Sequence, residues 1–550
     1  MHETRLPRTP EERAAPLHSH RFSRHISFAK VREHIVPRLA RSFDDAVERT
    51  CGVPPLHAPA PQRAAHRARL LSAADLQRLI DDGIIQRVST ADEAARPTRA
   101  FCSVFPVVET TDSGAERRRV IFHPAAINDA LADAGYKPTQ TPPLGFTAQY
   151  LHHAHHSYGV VIDLKCAFWQ MRLRRDARQY YRFVDAHGDL YEATVAGMGQ
   201  CSTVDLMQIV TAVVGGHPSV VGPCPATRDL AISVWVDGIF ISGATYAAIE
   251  RAIARAKSVA DDVGATIKNV ADIKPLRQLT FIGIAFDLER HTVALGDKTR
   301  GKLPVTVPAT MCAGDVEKLT GRLLFASGVV QTRVVDYYFA LKWAKRVCHR
   351  LNVGTLKLRE NVTLGPATQR AFQQWRDAAC VTYAPTKAKP QERVAHLFTD
   401  ATPTDFGAVL VMPDQRVFVT GARFDDAADD IAVREAQAPV FAAVVFEQTL
   451  KDAAIDTLHL RIDNTSVEAG LVRGLPRADS LAAPIRAFLK QQQLLDINVT
   501  VSRINSSENP ADEPSRGRVL DKAKLLAALA SGHKHLRRGA GRSSLTCVQT

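Results

Sequence analysis

The sequence lacks a long apolar run, a cysteine pair, an internal repeat and any sustained low-complexity tract, and each absence removes a class of protein. No stretch reaches the ~18 consecutive apolar residues that a membrane-spanning helix requires, so no membrane partner is expected. The first ten residues are charged where a secretory leader would be apolar, and Glu3, Glu11 and Glu12 are acids that an organelle transit peptide avoids. The nine cysteines form no CxxC pair, which leaves neither a zinc module nor a disulfide framework and fits a reducing compartment, cytoplasmic or nuclear. What is present is an ordinary globular composition, 45% apolar and 23% charged. Its 550 residues are enough for three or four cores. A net charge of +13 points to a polyanionic partner, because clustered Lys and Arg gain by releasing counterions from phosphates.

Along the chain, residues 1–70 are rich in Arg, His, Pro and Ala and predict little packed core, with Val53 to Pro61 as an extended spacer. From Leu71 the text changes. Ser72 and Asp75 cap a helix striped by Leu76, Leu79 and Ile80 and stopped at Gly83. Phe101 to Ile121 reads as two strands around a polar turn, with Arg117, Arg118 and Arg119 on the return arm. Ala247 to Val263 reads as helix, Leu279 to Leu288 as a strand with Gly283 at its centre, and 312–351 as mostly helix. A polar segment with two prolines, 384–391, is the expected linker. Beyond it come strands around Pro413-Asp414, a helix near 433–452, a strand at 458–462, a helix near 478–494 and a strand at 497–504, the pattern of a mixed sheet covered by helices. A basic tail follows from 519 to 550, expected as a solvated helix and a frayed end.

Acidic residues end several apolar runs, and they fall in two groups. Asp163 closes Gly159-Val160-Val161-Ile162, and Asp237 lies with Gly238 between alternating apolar residues, the pairing that marks a two-residue hairpin turn. In the second group Asp400 follows Val394 to Thr399, Glu435 sits in a helical pattern, Asp463 follows Leu458 to Ile462, and Asp512 stands in Asn509-Pro510-Ala511-Asp512. A carboxylate at the mouth of a buried strand is costly unless it binds a cation or meets donors. Converging carboxylates can hold two Mg²⁺ (Mn²⁺ also fits) that stabilise the attacking and leaving oxygens of a phosphoryl transfer. Two sites for phosphodiester chemistry are therefore expected, one making such bonds and one cutting them.

Weaker features surround these acids. Phe168 is an aromatic five residues beyond Asp163, and Ala196-Gly197-Met198-Gly199-Gln200 is a glycine-flanked loop through which backbone could approach a nucleotide. Arg119 could hold a triphosphate by paired hydrogen bonds, or simply be a solvated hairpin arginine. The cluster His152, His153, His155 and His156 has no further ligand at a metal spacing and reads as a surface turn.

The order of these motifs resembles a retroelement reverse transcriptase joined to ribonuclease H, over about Leu71 to Gly517. Leu79 to Ile85 is similar to the opening of the fingers, and Arg119 to Asn128 resembles the next finger motif, which implies that Arg119 contacts the incoming triphosphate. Asp163 to Phe168 matches the first palm motif, with Phe168 as the implied sugar gate. Gly197-Met198-Gly199, with Gln208 downstream, looks like the motif that positions template and nucleotide; Lys268 or Lys274 corresponds to a later palm lysine, and Phe281-Ile282-Gly283-Ile284 resembles the primer grip. The closing Asn-Pro-Ala-Asp-x-Pro-Ser-Arg signature and Asp315 to Val330 look most like DIRS-like retrotransposons, including the VIPER type.

The resemblance implies an α+β multidomain chain: fingers and palm over 71–295, helical thumb and connection over 296–383, and a ribonuclease H-like mixed-sheet domain over 392–518. It also implies the partners: RNA template, DNA primer, dNTPs, the RNA/DNA hybrid, and other element-encoded proteins for integration, since no Asp-Thr-Gly protease motif or zinc-headed integrase is present. Asp163 and Asp237 would hold the polymerase metals; Asp400, Glu435, Asp463 and Asp512 would hold those of the nuclease. Two departures stand out. Gly238 replaces the second Asp of the palm hairpin, and Ser506, Ser507 and Glu508 stand where a histidine often precedes the last acid. The first departure keeps a second reading open, a decayed or domesticated element that binds hybrids, or retains only the nuclease, without polymerising.

Overall fold

A computed structural model describes residues 6–56, 71–110, 115–137, 146–224, 227–385, 393–425 and 430–539, without side chains for 146 and 531–539. Most of the expected linker, the tip of the first hairpin and most of the proline spacer lie outside these residues. The chain divides into two compact units, residues 1–142 with 149–296, and residues 143–148 with 297–550.

The centre of the first unit is a three-stranded antiparallel sheet in which Gly238–Gly243 lies between Tyr158–Asp163 and Leu230–Trp235. All six residues of that middle strand are buried, as expected of an apolar run flanked on both edges and covered by the helices Thr203–Gly215 and Tyr246–Val263. The register sets Asp163 opposite Gly238, and Trp235 opposite the same residue, so the strand-end acid and the hairpin turn share one edge of the sheet. The basic hairpin Ser103–Thr110 and Glu116–His123 pairs Val107 with Arg119.

Several sequence expectations are corrected here. Residues before 71 are not short of core: the helices Phe28–His34 and Pro37–Cys51 bury Val31, Phe43, Ala46 and Cys51, which join the main apolar cluster of the unit. Arginines every few residues on the solvent face hide that apolar stripe from a composition argument, although the stripe itself has helical spacing. Leu279 to Leu288 is not one strand but the hairpin Gln278–Phe281 and Ile284–Asp287, turned at Ile282 and Gly283, both with positive φ. His153 is fully buried rather than on a surface turn; its ring stacks on Phe240 at 3.9 Å, and its two nitrogens lie 2.7 Å and 2.8 Å from the hydroxyls of Ser242 and Ser233.

The second unit opens with three helices, Ala313–Val330, Tyr338–Asn352 and Pro366–Ala378. Trp375, fully buried, donates its indole N–H to Ser327 at 2.7 Å and stacks with Tyr337. A five-stranded sheet follows, running across as Val417–Arg423, Asp405–Val411, Val394–Ala401, Thr457–Ile462 and Asn498–Arg503. The first two pairings in that order are antiparallel and the last two parallel. Helices Ile431–Val445 and Ala482–Leu495 pack together beside the sheet. The helix expected near 433–452 is broken at Phe446 into Ile431–Val445 and Glu447–Asp452. The tail is not wholly solvated either, since Leu525 and Ala528 of the helix Lys522–Gly539 are buried with Phe398, Val409 and Ile504. Among the described residues no helix is long and apolar enough to cross a membrane.

Candidate functional site

In the first unit, Asp163 and Asp237 meet at the sheet edge for reasons visible in the backbone. The N–H of Leu164 donates to the carbonyl of Asp237 at 3.0 Å, which ties the end of one strand to the turn beside it. That turn is Val236-Asp237 rather than Asp237-Gly238, because Trp235 and Gly238 already pair as strand residues. Val236 takes φ 54, a left-handed conformation that is strained for a β-branched residue. Gln208, on the helix beneath, holds it there: its side-chain oxygen accepts the Val236 N–H at 2.6 Å, and its amide donates to the Val234 carbonyl at 2.9 Å. Gln208→Ala should therefore cost about 1–2 kcal/mol of stability through the abandoned backbone N–H. If the turn serves chemistry, turnover should fall by roughly tenfold, to be read by thermal melts and single-turnover kinetics on the same sample.

Around the two acids lies a cleft of about 540 Å³, lined by Arg119, Phe168, Met198 and Lys268 among others. Lys268 arrives because residues 266–268 run alongside 163–165, the Lys268 N–H donating to the Asp163 carbonyl at 2.8 Å. Arg119 and Arg117 both donate to the buried carboxylate of Glu109, Arg119 at 3.0 Å. Burial, followed by the Asp163 carboxylate, pushes the Asp237 pKa up, while Arg119 and Lys268 pull it down. Asp163 and Asp237 are both exposed to solvent, so the protein packs around an open recess at the cleft and does not seal it. Two hard-oxygen donors held together at this cost suit a hard divalent cation.

Gly199 and Lys274 are not among the residues lining the cleft. Gly199 has φ 116, and a Cβ there would lie 2.6 Å from the carbonyl oxygen of Phe122. The glycine thus serves the approach of its loop to the strand Glu116–His123, where the Phe122 N–H donates to the Met198 carbonyl at 2.9 Å. Arg117 and His18 are among the lining residues that the sequence reading did not assign to a site. Arg117 was legible, since it lies two residues from Arg119 and so on the same face of a strand. His18 carried no local signal.

In the second unit the sheet itself explains the convergence. The parallel pairing of Phe398 with Arg461, continued two residues, sets Asp400 beside Asp463 at one edge. Glu435, in the first turn and a half of Ile431–Val445, completes a triad whose ligand oxygens all lie within 4.8 Å of one another. Burial first, then Asp463, raises the Glu435 pKa to about 9. Burial, with Asp463 and Asp512 nearby, raises Asp400 to about 6 against the opposing hydrogen bond from Ser515. That Ser515 hydroxyl donates to Asp400 at 2.5 Å, and Ser506, standing where the histidine is absent, donates to Asp463 Oδ2 at 2.5 Å. Asp463 Oδ1 is buried, and among the described residues the one group placed to donate to it is the Glu435 carboxyl in its protonated form. An all-oxygen set in which two carboxyls hold protons above their ordinary range, and one of them shares its proton with Asp463, fits a hard divalent cation, whose charge would replace those protons.

Asp512 does not join that triad among the described residues. Its Oδ1 accepts from Arg516 Nε at 2.9 Å and Nη2 at 2.8 Å, and Lys524 Nζ lies 3.8 Å from its other oxygen. The signature around it has a structural logic of its own. The Asn509 amide donates to the Thr399 carbonyl at 3.0 Å, Ser515 binds Asp400, and Arg516 binds Asp512, so the motif laces the chain to the acid-bearing strand.

No known protein family matches the sequence, and no curated protein does. Among solved structures, the chain is similar at 13% identity to the foamy viral protease-reverse transcriptase in complex with double-stranded DNA, over 88% of this chain and 98% of that one, with a TM-score of 0.44. A dRH form of the same protein with DNA matches over 88% and 83% with a TM-score of 0.46, and the complex with an RNA/DNA hybrid over 88% and 64% with a TM-score of 0.43, both at 13% identity. At these scores the likeness is loose, and the chemistry has to come from the residues themselves.

Proposed function

We propose that the chain is an RNA-directed DNA polymerase with ribonuclease H activity, of retrotransposon type and most like the DIRS-like group, its first unit extending a DNA primer on RNA and its second cutting the RNA strand of the hybrid. The observation that supports this most is the presence of two separate carboxylate groups gathered around strand ends, Asp163 with Asp237 and Asp400 with Asp463 and the helical Glu435, in one strongly basic chain. Mg²⁺ bound at each would supply charge to stabilise the oxygens of an in-line phosphoryl transfer. Arg119 and Lys268 carry fixed positive charge at the cleft and would orient the triphosphate. Phe168 offers an aromatic face where a sugar would lie, which would disfavour a 2′-hydroxyl on steric grounds. In the second unit, Ser515 and Ser506 orient the acids by one hydrogen bond each, leaving their remaining oxygens for a cation. Asp512, neutralised by Arg516, would act by shaping the field at Asp400.

The test is dNTP addition to a primed RNA template and cleavage of the resulting hybrid by one preparation of the full chain, in Mg²⁺ and in Mn²⁺. Both activities are expected. Hybrid binding without extension in either metal would favour the second reading, a binding or nuclease-only element, for which Gly238 is the supporting feature. Gly238 has room for more: an added Cβ would meet Phe281 at 3.3 Å and Asp163 Oδ1 at 3.5 Å, contacts that small side-chain shifts absorb. Gly238→Asp would therefore place a further carboxylate beside Asp163, and should lower the Mg²⁺ concentration for half-maximal extension by about tenfold. A metal titration of extension rate decides it, an unchanged midpoint counting against a shared metal position.

A further inference from the structure

The cleft of the first unit has a wall that its sheet and hairpin do not supply. Ala15 to Ser19 run as an extended arm beside the strand Glu116–His123, with Leu17 bridged in parallel to Arg118. The His18 N–H donates to the Arg118 carbonyl at 2.7 Å, and the Arg118 N–H to the Pro16 carbonyl at 2.9 Å. Arg118, buried, donates from Nε to the Ala15 carbonyl at 2.6 Å and by a two-pronged contact at 2.8 Å to Asp75, while the Ser19 hydroxyl donates to Asp82. An arm fastened at this many points is part of the unit, and it carries His18 into the cleft that holds Asp163 and Asp237.

The neighbours of His18 determine its state. Nδ1 lies 3.3 Å from Arg117 Nη1, which can only donate, so Nδ1 accepts. The ring proton is therefore on Nε2, which lies 3.2 Å from the Cys166 sulfur. Arg117 and Arg119 each oppose a second proton on the ring more than the Glu109 carboxylate, already shared by both arginines, favours it, and Lys268 opposes it further. The His18 ring is thus held neutral, with burial as the first cause and the arginines after it.

We propose that the N-terminal arm completes the cleft as a polyphosphate-binding wall, in which His18 works with Arg117 and Arg119 to hold the phosphate tail of a nucleotide and takes up a proton as it does so. An anion lodged among the cations cancels the repulsion that keeps the imidazole neutral. The protonated ring then offers two N–H donors and a charge. Binding becomes coupled to pH, and the arm, in a region whose composition predicts little packed core, becomes part of the nucleotide site. The inference rests on reading this cleft as a nucleotide site.

Inorganic tripolyphosphate separates the two claims, because it needs neither primer nor catalysis. Its affinity for the full chain is measured by calorimetry at about pH 8 and about pH 6, for the wild type, His18→Gln and His18→Ala. Glutamine can accept from Arg117 and donate to Cys166 but cannot titrate, so His18→Gln should match the wild type at the higher pH and fall behind it by roughly fivefold or more at the lower. Proton uptake on binding, read from the dependence of the heat on buffer ionisation, should be lost with it. His18→Ala should be weaker at both pH values with an unchanged melting temperature. Equal pH dependence in wild type and His18→Gln would overturn the proposal, as would absence of tripolyphosphate binding by the wild type. Binding with the expected pattern but no primer extension would leave the proposal standing and remove the polymerase reading instead.

Discussion

Primer extension falls by roughly a thousandfold, about 4 kcal/mol of transition-state stabilisation, when Asp163 is replaced by Asn, while cleavage of a preformed hybrid stays within about twofold of the wild type. The expectation follows from position. Asp163 ends a strand whose partner residue is Gly238, and its closest acidic neighbour in the cleft, Asp237, sits in a strained turn that the strand end helps to fasten. Asparagine keeps the size and much of the hydrogen bonding of the side chain but removes the charge a divalent cation requires. Repulsion within the pair also disappears, so the pKa of Asp237, raised by burial and then by Asp163, should drop in the variant. An activity loss accompanied by an unchanged or higher melting temperature would mark Asp163 as a group that acts on substrate at a cost to stability. Full extension activity in Asp163→Asn would remove the cleft from consideration as the polymerising centre.

The second large effect is expected at Asp463→Asn, in two readouts. Hybrid cleavage should fall by about a thousandfold, since the substitution deletes the ligand between Asp400 and Glu435. Stability gives an independent measure. Asp400 and Glu435 hold their protons more tightly in the folded chain than in the unfolded one, with pKa values of about 6 and about 9 against ordinary values of 3.8 and 4.5. Their contribution to stability is therefore complete below those ordinary values and is lost as pH rises through about 6 for Asp400 and about 9 for Glu435. Without metal, the second unit should melt at falling temperatures over that window. A divalent cation takes over the work of the missing protons, so Mg²⁺ should raise the melting temperature by about 3 °C or more at pH near 8 and far less near pH 5. In Asp463→Asn the metal-free protein should be more stable near pH 8 than the wild type, and the Mg²⁺ shift should vanish. Equal Mg²⁺ shifts in the two proteins would show that the cation binds elsewhere.

The residues differ in how much of their role could be seen in advance. Asp163, Asp400 and Asp463 each close a run of β-forming residues, and a strand end is a local property that period and composition reveal. The helical position of Glu435 and the hairpin at Asp237 were legible for the same reason, although the turn lies one residue earlier than the Asp-Gly pair suggests. Glycines 197 and 199 have a further reason to be glycine that the sequence did not show. Their missing side chains accommodate Phe122, and nothing in a local sequence says which neighbour a glycine makes room for.

What the sequence by itself determined is many of the secondary elements after residue 71, the net positive charge, and the acids that stand at element ends, because these depend on hydrophobic period, turn chemistry and net charge within a few residues. The tertiary structure alone decided which acids share a site. Parallel pairing in the second sheet brings Asp400 to Asp463, while Asp512, paired with Arg516, is not part of their triad. It also decided that the arginine-rich N-terminal segment has a core, and that His18 lies beside Arg117 and Cys166. Such meetings join residues far apart in the chain, and their energies come from packing and charge across elements, for which a linear pattern carries no signal.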